Sequence, residues 1–133
     1  VRFLKKQQSK EFHDLLFKTF PHAINFVSTN GDSSLVSYYE NNDVYDVHTD
    51  TFQFTCLVWF HKKPKKYKGG DFYFEQPDQT VESKHNRLVI FPSYYRHGVK
   101  KIKMDTKLPI GFGRYTITTF YFHVPVATTL EQK

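Results

Sequence analysis

A period of two dominates the sequence. After residue 23, short runs of apolar and aromatic residues alternate with polar ones, and clusters such as Asn30-Gly31-Asp32 and Asn41-Asn42-Asp43 separate the runs. Alternation predicts β-strands, and the clusters supply residues that tolerate tight turns. We therefore expect a mainly β fold, a sandwich or barrel of the jelly-roll kind. The predicted strands cover residues 24–27, 34–39, 44–49, 52–60, 71–74, 87–91, 97–102 and 115–122.

One helix is predicted, close to the N-terminus. Ser9 is suited to cap it, Phe12 and Leu16 lie on one face, and Pro21 ends it. We expect this short helix to precede the strands as part of the same unit.

The length of 133 residues is enough for one domain with a core of its own. We expect a single domain over residues 1–133, with a helical part at about 1–22 and a β core at about 24–123. The chain begins without methionine inside a basic run, which favours a fragment of a longer protein.

The cysteine content and the apolar runs bear on the compartment. Cys56 is the one cysteine, so an internal disulfide is excluded and a cytoplasmic location is expected. We expect Cys56 to be a small core residue. The run at residues 56–60 is too short to cross a bilayer, so no membrane association is expected.

The net charge of +6 has a local source. Five lysines lie in the segment Lys62–Lys68, beside Pro64 and ahead of Gly69-Gly70. A solvated loop is the favoured interpretation. The alternative is a surface that contacts phosphates or an acidic partner.

His48 and Asp50 form a possible pair of metal ligands. Residues two apart in a strand share a face, so both side chains point the same way. His97, which follows the strand at residues 87–91, is the best third ligand. Two histidines and one carboxylate are typical of non-haem Fe(II) oxygenases. Asp46, two residues before His48, could replace Asp50 by spacing alone.

The remaining histidines lack a strand position combined with a carboxylate on the same face. We expect them not to bind metal: His13, His22, His61, His85 and His123.

The order of the motifs around the pair identifies a family. The chain contains SYYENNDVYDVHTD, then FTCLVWF and YKGGDFYF, then RLVIFPSYYRHGV, and finally GRYTITTFYF. In this order the segments resemble the Fe(II)- and 2-oxoglutarate-dependent dioxygenases of the prolyl 4-hydroxylase type, from about Leu35 to Phe122. The fold implied is the double-stranded β-helix, which is the family's jelly roll.

The resemblance also assigns roles. It implies that His48, Asp50 and His97 hold Fe(II), and that Arg114 pairs with the distal carboxylate of 2-oxoglutarate. Tyr39 matches a tyrosine that hydrogen-bonds this cosubstrate.

The same resemblance suggests roles for three further residues. Tyr38 replaces Tyr39 if the strand register differs by one residue. Thr118 shares the face of Arg114 and lines the cosubstrate pocket, and Trp59 forms part of the pocket wall. The segment between His97 and Arg114 is longer than is usual in the family and is expected to form an extra hairpin loop near the site.

The activity implied is hydroxylation of a C–H bond of a peptidyl residue, with proline favoured. Fe(II), 2-oxoglutarate and O2 take part, and ascorbate is expected to support the reaction. One alternative is the same chemistry on nucleic acid held by the Lys62–Lys68 loop, and another is a non-catalytic β-sandwich binding module. The sequence makes no prediction of the oligomeric state.

Overall fold

The computed structural model describes residues 9–125, in which two helices and a 3-10 turn precede ten strands. The helices are α1 (Lys10–Thr19) and α2 (Ile24–Val27), with the turn at Pro21–Ala23 between them. The strands are β1 (Gly31–Tyr39), β2 (Tyr45–His48), β3 (Phe54–Phe60), β4 (Tyr67–Gly69), β5 (Phe72–Phe74), β6 (Gln79–Val81), β7 (Leu88–Pro92), β8 (His97–Val99), β9 (Ile102–Met104) and β10 (Arg114–Phe122).

The strands form two four-stranded antiparallel sheets and a small ribbon. The first sheet has the order β1-β10-β3-β7, the second has the order β2-β8-β5-β6, and β4 pairs with β9. The main core contains Leu57, Trp59 and Phe91 from the first sheet and Phe72 and Val99 from the second. The two sheets therefore pack face to face, which confirms the jelly-roll prediction.

Strand β3 is buried along nearly its whole length because both of its faces are covered. Leu57 and Trp59 point to the second sheet, whereas Phe54 and Cys56 belong to a second cluster with Phe26 of α2. The predicted core position of Cys56 is confirmed. Helix α1 covers this outer cluster and begins as predicted, since the Ser9 Oγ accepts a hydrogen bond from the Phe12 amide at 3.2 Å.

Two of the predicted strands are wrong. Residues 24–27 form α2, in which Phe26 packs against Phe54 and Tyr121. A four-residue apolar run has no diagnostic period, so tertiary packing decided its structure. The predicted strand at 97–102 is two strands, because β8 pairs within the second sheet and β9 pairs with β4.

The sequence did not predict β4 and β6, which have three residues each. Strands this short show too little alternation to be recognised, and β4 lies at the end of the lysine-rich segment. Neither described helix has the length and hydropathy of a bilayer-spanning segment.

Candidate metal centre

The structure brings together the three predicted metal ligands. His48 and His97 face each other across β2 and β8, with ring centroids 4.4 Å apart. Asp50 lies just beyond the end of β2, with Oδ1 3.5 Å from His48 Nε2 and Oδ2 3.4 Å from His97 Nε2. One ligand atom from each residue lies within 4.8 Å of the others. This donor set, two imidazoles and one carboxylate, fits Fe(II).

Backbone carbonyls orient both imidazole rings. His48 Nδ1 lies 2.8 Å from the carbonyl oxygen of Asp46, and His97 Nδ1 lies 2.6 Å from that of Tyr95. When each Nδ1–H donates to its carbonyl, the lone pair of Nε2 is left for a metal. Asp46 therefore contributes its carbonyl oxygen, while its side chain lies outside the three-residue cluster.

The Asp50 carboxylate is held in its ionised form. Burial opposes its ionisation, but the contacts with His97, Thr55 and His48 together outweigh burial, so the pKa of Asp50 is lowered from its ordinary value. Thr55 Oγ1 donates to Asp50 Oδ2 at 2.6 Å. An ionised carboxylate is the form that binds a divalent cation.

A cavity of about 130 Å³ opens beside the three ligands. Its walls follow the alternation of the strands, since every second residue faces it from Leu35 to Tyr39 in β1 and from Arg114 to Phe120 in β10. Besides the three ligands, the lining residues are Leu35, Ser37, Tyr39, Tyr45, Thr55, Leu57, Phe72, Val99, Arg114, Thr116, Thr118 and Phe120.

Arg114 is a buried cation in this cavity. Its side chain is 1% exposed, and it forms no salt bridge with any residue between 9 and 125. The guanidinium carbon lies 5.0 Å from the ring centre of Tyr39 and 5.7 Å from that of Trp59. Burial lowers the pKa of Arg114, and Tyr39 partly offsets this effect. Arg114 Nε has no hydrogen-bond partner within the described part of the chain, so the residue fits a ligand carboxylate.

The two neighbouring tyrosines have different environments. Tyr39 lines the cavity, as predicted, and burial raises the pKa of its hydroxyl although Arg114 acts in the opposite direction. The Tyr38 hydroxyl instead accepts hydrogen bonds from the amides of Gly111 and Gly113, at 2.7 and 3.1 Å. It thereby holds the end of the loop that leads to Arg114. Between β8 and β10 the chain forms β9, which pairs with the distant β4, and then turns at 105–113, so the segment forms a loop but not the predicted extra hairpin.

Thr118 lines the cavity, whereas Trp59 packs in the core between the sheets and contacts the site through Arg114. The predicted place of Trp59 in the pocket wall is therefore wrong, because its ring is covered by the core. The sequence interpretation did not identify Thr116, a buried cavity residue whose Oγ1 has no hydrogen-bond partner among the described residues. Thr116 lies two residues after Arg114 in the same strand, and this spacing indicated that both side chains point to the same face.

The other histidines lie outside the metal cluster in the described part of the chain. Two of them, His61 and His85, contact each other with ring centroids 4.9 Å apart. His13 packs against Phe26, and His123 Nδ1 lies 2.8 Å from the Ser28 carbonyl. His22 packs against Phe20.

The lysine-rich segment lies at a separate depression. Lys68 and Lys103 are paired across β4 and β9, and both line this depression together with Lys65 and Lys66. None of its lining residues belongs to the metal-side cavity. Tyr67 is the aromatic residue in this depression, and Lys65 Nζ lies 4.6 Å from the centre of its ring.

Comparison with known proteins gives matches over most of the chain. The family model of the 2OG-Fe(II) oxygenase superfamily matches residues 34–122. A PKHD-type hydroxylase of Crocosphaera subtropica is 30% identical over 108 residues, covering 73% of this chain and 46% of that protein. This chain thus spans about half the length of that relative.

The fold is shared with a solved structure, and a weaker match is found to a cupin protein. The crystal structure of a Pseudomonas putida prolyl-4-hydroxylase has a TM-score of 0.57 and 20% identity, covering 89% of this chain and 69% of the other. A cupin protein of Desulfovibrio desulfuricans has a TM-score of 0.46 and 12% identity, covering 70% and 73% of the two chains.

Proposed function

The chain belongs to the 2OG-Fe(II) oxygenase superfamily, and on this premise we propose that it is a 2-oxoglutarate-dependent dioxygenase that hydroxylates a peptidyl residue, with proline favoured. The observation that carries the proposal is a cavity lined by two histidines, an aspartate and a buried arginine that has no counterion among residues 9–125. The two histidines and the aspartate fit Fe(II), and the arginine fits the far carboxylate of a dicarboxylic acid.

His48, Asp50 and His97 would hold the iron. When bound, Fe(II) would activate O2 for a reaction in which one oxygen atom enters the substrate C–H bond and the other enters succinate, which forms with CO2 from 2-oxoglutarate. The chain's contribution is orientation, since the two backbone carbonyls fix the imidazoles and Thr55 fixes the carboxylate.

The cosubstrate would lie along β10. Arg114 would pair with its distal carboxylate, and Tyr39 and Thr116, which line the same cavity, would offer hydroxyl donors to the cosubstrate. Thr118 adds a further hydroxyl to the wall. Trp59 would act as support, because its ring stacks near the guanidinium and limits where Arg114 lies.

The rim of the cavity supports a peptide substrate. Leu35 is 46% exposed and Tyr45 is 48% exposed, and both line the cavity that contains His48. An exposed aromatic ring and an exposed aliphatic side chain at the same cavity offer apolar surface for a pyrrolidine ring. The two hydroxylases found by comparison are named for prolyl or PKHD-type activity, which points in the same direction.

Three expectations from the sequence stay predictions: ascorbate supports the activity, the chain is a single domain, and the protein is cytoplasmic. Binding of nucleic acid by the lysines stays the alternative. The depression that contains the lysines is separate from the metal-side cavity, so a peptide is the favoured substrate.

The experiment is incubation of proline-containing peptides, and of oligonucleotides in parallel, with Fe(II), 2-oxoglutarate, O2 and ascorbate. Mass spectrometry is expected to show a gain of one oxygen on a peptide, with one succinate formed per hydroxylation. His48→Ala should abolish both products, whereas His13→Ala, which changes a histidine outside the cluster, should retain them. Absence of succinate in every reaction of an iron-loaded protein would contradict the proposal.

A further inference from the structure

We infer that Thr55 and Ser93 form a directed hydrogen-bond relay that positions the Asp50 carboxylate for the metal; this inference rests on the proposed function. Thr55 Oγ1 lies 2.6 Å from Asp50 Oδ2 and 2.9 Å from Ser93 Oγ. Thr55 is 1% exposed and Ser93 is 0% exposed. Neither hydroxyl can exchange this contact for bulk water without a change in the fold.

The direction of the relay follows from proton counting. An ionised carboxylate only accepts hydrogen bonds, so the single hydroxyl proton of Thr55 goes to Asp50. Thr55 Oγ1 then has only lone pairs to offer, and Ser93 Oγ–H must donate to it. The chain of donors therefore runs from Ser93 to Thr55 to Asp50, and Ser93 fixes the rotamer from which Thr55 donates.

Backbone hydrogen bonds tie the same residues together. The Asp50 amide donates to the Ser93 carbonyl at 2.9 Å, and the Ser93 amide donates to the Gln53 carbonyl at 3.0 Å. The loop after β2, which carries Asp50, is thereby attached to the turn after β7. Because that turn leads to His97, Ser93 links the segments that carry two of the three ligands.

A purely structural role for Thr55 is the competing explanation, and the chain contains a matched control for it. Thr119 on β10 is also 1% exposed, and its Oγ1 lies 2.8 Å from Ser34 Oγ. Its neighbours Thr118 and Phe120 face the cavity, so Thr119 faces away from the metal ligands. Replacing either threonine by valine removes one buried hydroxyl at nearly constant volume.

The test is the affinity of the metal-free protein for Mn(II), measured by titration calorimetry. Loss of a group that orients a ligand typically weakens metal binding about 10–100-fold, which is the change expected for Thr55→Val. Thr55→Ser keeps the hydroxyl and should bind within a few-fold of the unchanged protein. Thr119→Val should bind Mn(II) as the unchanged protein does, even if it unfolds more easily.

Two further measurements keep the inference testable. The visible absorption spectrum of the Co(II)-loaded protein should change in Thr55→Val and stay the same in Thr119→Val, since only the former removes a hydrogen bond to a metal ligand. If Thr55→Val does not fold, Ser93→Ala should weaken Mn(II) binding about fivefold, the effect of losing one ordinary hydrogen bond.

The outcomes separate this inference from the proposed function. If the unchanged protein binds no Mn(II), the proposed function itself fails. If it binds Mn(II) and Thr55→Val and Ser93→Ala bind it equally tightly, the relay is refuted while the metal site stands. Equal losses in Thr55→Val and Thr119→Val would also refute it, because the effect would then reflect general destabilisation.

Discussion

Replacement of Arg114 by methionine is expected to separate cosubstrate binding from stability. The change removes the charge and keeps most of the length of the side chain. Truncating one partner of a buried, hydrogen-bonded charge pair costs about 2–5 kcal/mol. At about 1.4 kcal/mol per tenfold change, 2-oxoglutarate should bind about 30-fold to a few thousandfold more weakly.

The ligand-free protein is expected to respond in the opposite direction. Arg114 is 1% exposed and forms no salt bridge in the described part of the chain, and burial lowers its pKa. An uncompensated buried charge destabilises the folded state, so Arg114→Met should unfold at an unchanged or higher temperature. A loss of cosubstrate binding could then not be attributed to unfolding.

The assay is calorimetric titration of the Mn(II)-loaded protein with 2-oxoglutarate, combined with thermal unfolding of the metal-free protein. Arg114→Lys should recover part of the affinity, because lysine supplies the charge without the bidentate geometry. Arg87→Ala should leave the affinity for 2-oxoglutarate unchanged. Arg87 lies outside the cavity, with its Nη1 atom 3.9 Å from Glu82 Oε2. Unchanged affinity in Arg114→Met would mean that another cation binds the carboxylate.

Three other predictions concern the surroundings of the site. Tyr38→Phe removes the acceptor of two loop amides and should lower the free energy of unfolding by about 1–3 kcal/mol in urea denaturation. The lowered pKa of Asp50 stabilises the metal-free protein above the ordinary carboxyl pKa of 3.8, and this stabilisation should fall as the pH drops below that value. Asp50→Asn should flatten that part of the acid-unfolding curve. Neutralising four lysines together should leave substrate-free turnover of 2-oxoglutarate unchanged. If nucleic acid is the substrate, each lost phosphate contact should instead reduce the log–log salt slope of binding by about 0.7–0.9. The four lysines are Lys62, Lys63, Lys65 and Lys66.

Strand alternation carried part of the prediction of the site, and the family resemblance carried the rest. The resemblance selected Tyr39, whereas alternation placed Tyr38 on the opposite face and Thr118 on the same face as Arg114. His97 was found because it follows a recognisable strand and turn. The geometry of these residues was predictable because in β-structure the sequence spacing fixes the side of the sheet.

Other features depend on contacts between distant segments. The helix at Ile24–Val27 forms because Phe26 fits against Phe54 and Tyr121, a contact that no local pattern encodes. Thr55 is an ordinary strand residue in sequence. Its contact with Asp50 arises only once the loop after β2 folds back onto Ser93.

The metal content of the protein tests the central claim most directly. After loading with Fe(II) without oxygen and removal of free metal, the unchanged protein is expected to retain one iron per chain. His48→Ala, Asp50→Ala and His97→Ala should each lose it. Asp46→Ala, which leaves the carbonyl that orients His48 in place, should retain it. Full iron retention by His48→Ala or Asp50→Ala would contradict the assignment of this site.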